Sequence, residues 1–97
     1  MNSNIMDLIR KHRTELKNTG LKTIGLFGSY SRGENSEDSD VDLIIEFEEG
    51  TKNFHNYMEA CEILENIIQK KLDIVTPESL SPYIKPYIDK EVVYEKL

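Results

Sequence analysis

The chain carries one cysteine, no tryptophan and three prolines in 97 residues. A lone Cys61 forms no intramolecular disulfide, and no second Cys or nearby His gives it zinc-ligand spacing, so disulfide and structural-zinc scaffolds are excluded. Long apolar runs are missing too: none approaches about 18 residues, and residues 1–10 lack the charged and apolar regions of a secretion signal. The expected location is the cytoplasm, with no membrane role. Basic residues are in deficit, 12 against 18 acidic, for a formal net charge of −6. That balance opposes docking along a polyphosphate backbone unless a cation intervenes, so no nucleic-acid partner is expected, whereas a binder of metal ions is not disfavoured.

What is present is the composition of a folded protein, 38% apolar and 31% charged. The length accommodates one domain, residues 1–97, with a small core and any active site close to solvent. Residues 5–16 place Ile5, Met6, Leu8, Ile9 and Leu16 mostly at helical spacing, with residues 2–4 as caps and Gly20 as a stop. Residues 22–27 read as a buried strand ending at Gly28, and residues 28–40 as a polar loop with one helical turn after Ser29. Val41, Leu43, Ile45 and Phe47 alternate with Asp42, Ile44 and Glu46, which predicts a strand with one wholly apolar face. From Phe54 the residues Tyr57, Met58, Cys61, Leu64 and Ile68 predict a second helix ending near Lys71. Residues 72–75 form a third strand, and Pro77 and Pro82 bracket a turn before a short helix over 83–90. Val92, Val93 and Tyr94 either extend as a tail or close the fold. The link between the first two strands is too short for a long crossover helix, so the sheet of this α/β chain is expected to be mixed.

Chemistry concentrates in Gly28-Ser29 and, ten residues on, Asp40-Val41-Asp42. Residues two apart on a strand share a face, so Asp40 and Asp42 project together while the apolar face packs in the core. Their repulsion is relieved by a shared proton or by a hard cation such as Mg²⁺, and the partly exposed strand end favours the cation. Gly28 permits close backbone approach, and N–H groups where a strand turns form a concavity suited to phosphate. Arg32 falls on the same side as Ser29 if one helical turn forms, and its guanidinium suits phosphate oxygens; the alternative is a surface ion pair with Glu34 or Glu37. Asp73 interrupts an apolar strand, where a charge is costly without a partner. Three carboxylates converge if that strand lies beside residues 41–47, a set suited to two-metal phosphoryl chemistry.

These residues resemble the signature of the nucleotidyltransferase superfamily that includes DNA polymerase β and kanamycin nucleotidyltransferase. Within it, Gly-Ser-Tyr-Ser-Arg-Gly-Glu and Ser-Asp-Val-Asp-Leu are similar to the minimal nucleotidyltransferases, over residues 23–76. The resemblance implies the polymerase-β-like fold, Mg²⁺ at Asp40, Asp42 and Asp73, and ATP as donor with its triphosphate held by Gly28 and Ser29. It implies attack of an acceptor hydroxyl on the α-phosphate, with pyrophosphate leaving and Asp73 helping to deprotonate the nucleophile. It further implies an antitoxin that silences a helical HEPN ribonuclease toxin by transferring AMP to a tyrosine. Two other classes stand beside it: an antitoxin acting by contact alone with a vestigial nucleotide site, and a small-molecule nucleotidyltransferase.

Two lookalikes fall away. Residues 28–33 spell G-x-x-x-x-G, but Glu34 and Asn35 replace the Lys and Ser/Thr of a P-loop. Asp38, Asp40, Asp42 and Glu49 match acidic EF-hand positions, but Leu43 replaces the required Gly. His12 and His55 read as surface residues and Cys61 as a small core residue. Tyr83, Ile84, Tyr87 and Ile88 form an apolar-aromatic face that either binds a partner or closes the core.

Overall fold

The computed structural model describes residues 2–97, and side chains from Ile5 onward. The order is α1 (Asn2–Lys11), α2 (Arg13–Lys17), β1 (Leu21–Phe27), α3 (Ser29–Arg32), β2 (Val41–Phe47), α4 (Phe54–Ile68), β3 (Leu72–Val75), a 3-10 turn (Pro77–Ser79), α5 (Lys85–Glu91) and β4 (Val93–Lys96). The four strands form one sheet in the order β3-β2-β1-β4. β1 runs antiparallel to β2 and β4, whereas β2 and β3 are parallel, so the sheet is mixed as expected. Only the parallel pair needs a crossover, and α4 supplies it.

Alternation in β2 sets the layers. Val41, Leu43, Ile45 and Phe47 are buried in the main core with Ile5, Met6, Ile9 and Leu16 from the first two helices and Ala60, Leu64 and Ile68 from α4. Ile44, on the other face, is also buried, so that face is partly covered as well. A Cβ added at Gly25 would come within 2.8 Å of both Ile44 Cγ2 and Tyr94 Cε1 and within 2.7 Å of Val92 Cγ2. The missing side chain at Gly25 is what lets the segment after α5 lie against the sheet.

Several boundaries depart from the sequence reading. The first helix is two, separated at His12, whose φ of −106° and ψ of 22° are not helical. Residues 2–4 lie inside α1 rather than capping it from outside. α4 stops at Ile68, short of Lys71, because Gln69 takes a left-handed φ of 55° and the Lys71 carbonyl already accepts from Val41 N–H at 2.8 Å. Met58 lies on the flank of the buried stripe and is 49% exposed, while Ala60, on its centre, is buried. The last helix starts at Lys85, not Tyr83, and residues 93–96 form β4, which closes the sheet edge beside β1. Of the expected apolar-aromatic face only Ile88 is buried; Tyr83, Ile84 and Tyr87 are exposed. Among the described residues no helix is long and apolar enough to cross a membrane.

Leu64 of α4 is fully buried in the main core. Leu64→Ala is expected to cost about 2–5 kcal/mol by lost transfer energy and cavity formation. Urea denaturation checks this, and a loss under about 1 kcal/mol would place the core's weight elsewhere.

Candidate active site

Burying Val41 and Leu43 on one face of β2 sends the intervening Asp42 to the other. The parallel register then sets Asp42 opposite Asp73 on β3, and the antiparallel register sets it opposite Phe27 on β1. Asp40 precedes the first residue of β2, two positions from Asp42. Asp40 and Asp42 are half-buried and Asp73 is exposed.

The turn after β1 meets the same spot. Gly28 has φ 75° and ψ −156°, a backbone conformation that side chains rarely adopt. A Cβ built there would lie 2.1 Å from Asp42 Oδ2, so only glycine allows the carboxylate to rest on this backbone. The expected helical turn forms as α3, from Ser29 to Arg32, and ends at Gly33 in the left-handed conformation. Ser31 Oγ donates to the Gly28 carbonyl at 2.8 Å and Glu34 N–H to the Ser29 carbonyl at 2.9 Å, which ties the corner together.

The electrostatics record the crowding of charge. Partial burial raises the pKa of Asp42 above the usual carboxylate range, and repulsion from Asp73 and then Asp40 raises it further; Arg32 opposes the shift and Glu91 adds to it. The folded chain therefore holds a proton on Asp42 more tightly than the unfolded chain does. Its ionisation as pH rises through the folded pKa costs stability, and at neutral pH the carboxylate is a destabilising group.

Arg32 is held by two glutamates. Its Nε donates to Glu34 Oε1 at 2.9 Å, the expected alternative partner, and its Nη1 to Glu91 Oε1 and Oε2 at 3.0 and 3.1 Å. Glu91 Oε2 also accepts from Gly28 N–H at 2.5 Å. Glu91, the last residue of α5, thus joins the corner from a segment that the sequence reading did not connect with it. No local pattern around residue 91 signals this, because the contact spans 63 positions of chain.

All the donors offered by Asp40, Asp42 and Asp73 are carboxylate oxygens, the set that a hard divalent cation takes, and the raised pKa of Asp42 marks negative charge that a cation would relieve. Three carboxylates repel one another, and among the described residues no three His, Cys, Asp or Glu side chains stand together as a complete ligand group. A shallow concavity lined by Phe47, Glu49, Lys52, Thr76 and Glu78 lies at the other end of β2, and none of the candidate site residues lines it.

The family model described as Nucleotidyltransferase domain matches residues 9–95. A Methanocaldococcus jannaschii protein named as a candidate protein adenylyltransferase is 42% identical over 95 residues, which is 95% of each chain. Protein adenylyltransferase MntA of Thermococcus cleftensis is 40% identical over 91 residues, 93% of this chain and 91% of its own. Among solved structures, a candidate minimal nucleotidyltransferase superposes with a TM-score of 0.68 at 29% identity, covering 95% of this chain and 86% of the other. A complex of a tri-AMPylated Shewanella oneidensis HEPN toxin with its MNT antitoxin gives a TM-score of 0.62 at 21% identity, over 93% of this chain and 70% of that one, a likeness of fold.

Two substitutions test the geometry. Asp42→Asn is expected to raise the thermal midpoint at neutral pH in a chelator, and to reduce the fall in midpoint as pH rises from about 4 to neutrality, because the group that prefers its proton in the folded state is gone. A midpoint unchanged or lowered would overturn the repulsion account. Gly28→Ala is expected to destabilise by about 1–3 kcal/mol through the unfavourable φ and the clash with Asp42, read by urea denaturation. No loss would show that Asp42 moves freely.

Proposed function

The chain belongs to the nucleotidyltransferase domain family, and from that membership we propose that it is a Mg²⁺-dependent protein adenylyltransferase. In this reading it transfers AMP from ATP to a tyrosine hydroxyl of a HEPN-type ribonuclease toxin in the cytoplasm, and thereby acts as the antitoxin. The observation that carries the reading is the register that pairs Asp42 with Asp73 across β2 and β3, with the Gly28 backbone against Asp42. Support for a protein acceptor comes from the relatives named as protein adenylyltransferases, which align over nearly their whole length. Support for the HEPN partner comes from the fold shared with an MNT antitoxin bound to a tri-AMPylated HEPN toxin.

In this reading Asp40, Asp42 and Asp73 would hold the cation, and Gly28, Ser29 and Arg32 would hold the triphosphate. Bound Mg²⁺ supplies neutralisation of charge on the reacting and leaving oxygens. Gly28 would offer its backbone N–H to a phosphate oxygen where the chain turns from β1 into α3. Asp73 is the most exposed of the three carboxylates, which suits it to meet an acceptor that arrives from solvent. It takes the tyrosine proton as the new O–P bond forms at the α-phosphate; the bond to the leaving oxygen breaks and pyrophosphate departs. A site this open suits an acceptor carried on a protein surface, which brings its own positioning contacts.

Intact-protein mass spectrometry tests the reading. A HEPN-type toxin protein is incubated with this chain, Mg²⁺ and each of the four nucleoside triphosphates. The expected result is a mass gain of one or more AMP groups with ATP, absent with Asp40→Ala/Asp42→Ala or with EDTA. No gain with any nucleotide, from proteins that still form a complex, would overturn the catalytic reading in favour of inhibition by contact alone.

A further inference from the structure

Glu91 engages the donors that the preceding reading gives to phosphate, and on that reading we propose that its carboxylate is an internal competitor for the triphosphate. Oε2 accepts from Gly28 N–H at 2.5 Å, and both oxygens accept from Arg32 Nη1 at 3.0 and 3.1 Å. A carboxylate spread over a backbone amide and a guanidinium reproduces the charge and acceptor geometry of a bound phosphate edge. The Gly28 amide has a single hydrogen, so it does not serve Glu91 and a phosphate oxygen at full strength together. Phosphate bound there therefore releases Glu91.

Position on the chain makes the contact reproducible rather than incidental. Glu91 ends α5, one turn after the buried Ile88, and Val92 and β4 follow it directly onto the sheet. The side chain is half-buried, so the carboxylate is delivered to the corner by the packing of α5 and β4. Its negative charge also acts on Asp42, adding to the repulsion from Asp40 and Asp73. Release of Glu91 removes a negative charge from the place a polyanion enters, and its return helps expel pyrophosphate. The consequence is a site that binds its donor more weakly than its own residues permit and clears its product faster.

Isothermal titration of the full chain with inorganic tripolyphosphate, and separately with a non-hydrolysable ATP analogue, both with Mg²⁺, decides the matter. Glu91→Gln keeps the shape and one acceptor oxygen but loses the charge, and thermal melting confirms that it folds. The expected result is about fivefold to tenfold tighter binding of both ligands, as a charge-assisted contact becomes a weaker neutral one. Arg32→Ala, made in the Glu91→Gln background where no competing carboxylate remains, is expected to reverse the gain. Unchanged or weaker binding by Glu91→Gln, with Arg32→Ala still lowering affinity, would overturn the competitor while leaving the phosphate corner intact; Glu91 would then be a positioning residue for Arg32. If Arg32→Ala changes affinity in neither background, the phosphate corner itself is wrong and the competitor falls with it.

Discussion

The apolar alternation of β2 controls the position of every charged group at the site. Val41, Leu43 and Ile45 are completely buried against the helices, so a slip of one residue would expose all three and drive Asp42 into the core. Hydrophobic burial on one face thus holds a carboxylate on the other, where Asp73, Asp40 and Glu91 all raise its proton affinity. The core stabilises an arrangement that the charges themselves oppose.

The corner around Gly28 extends the same logic to the backbone. Its positive φ lets β1 turn directly into α3, and its bare Cα leaves room for Asp42 Oδ2. A second glycine has a parallel role three residues earlier, within β1: Gly25 leaves the space in which Val92, Tyr94 and Ile44 meet. Through that contact the C-terminal segment lies along the sheet and carries Glu91 to Gly28 and Arg32. Two absent side chains therefore decide how the start and the end of the chain share one site.

The surface left outside these contacts has its own character. Tyr83, Ile84 and Tyr87 on and before α5, with Val93 and Tyr94 on β4, expose apolar groups beside the segment that ends in Glu91. Cys61, expected as a small core residue, is instead half-buried on α4 at the margin of the core, beside Tyr57. His55 is exposed and pairs with Glu59 on α4, as expected of a surface residue, whereas His12 is half-buried at the break between α1 and α2 and pairs with Glu15.

Local patterns determined much of this protein from sequence alone. Period-two alternation gave β2 its limits and its buried face, and β-branched runs gave β1 and β3. These features depend on neighbours within a few residues, which is the range over which periodicity and turn chemistry act. The helix break at His12, the end of α4 at Gln69 and the exposure of Met58 were settled by packing and by the pull of β2 on Lys71. Only the tertiary structure decided that Asp73 stands in register with Asp42, that residues 93–96 form an edge strand, and that Glu91 binds Gly28 and Arg32. Each of those joins segments far apart in the chain, and their partners are selected by the shared core and by the room two glycines leave, neither of which a local window contains.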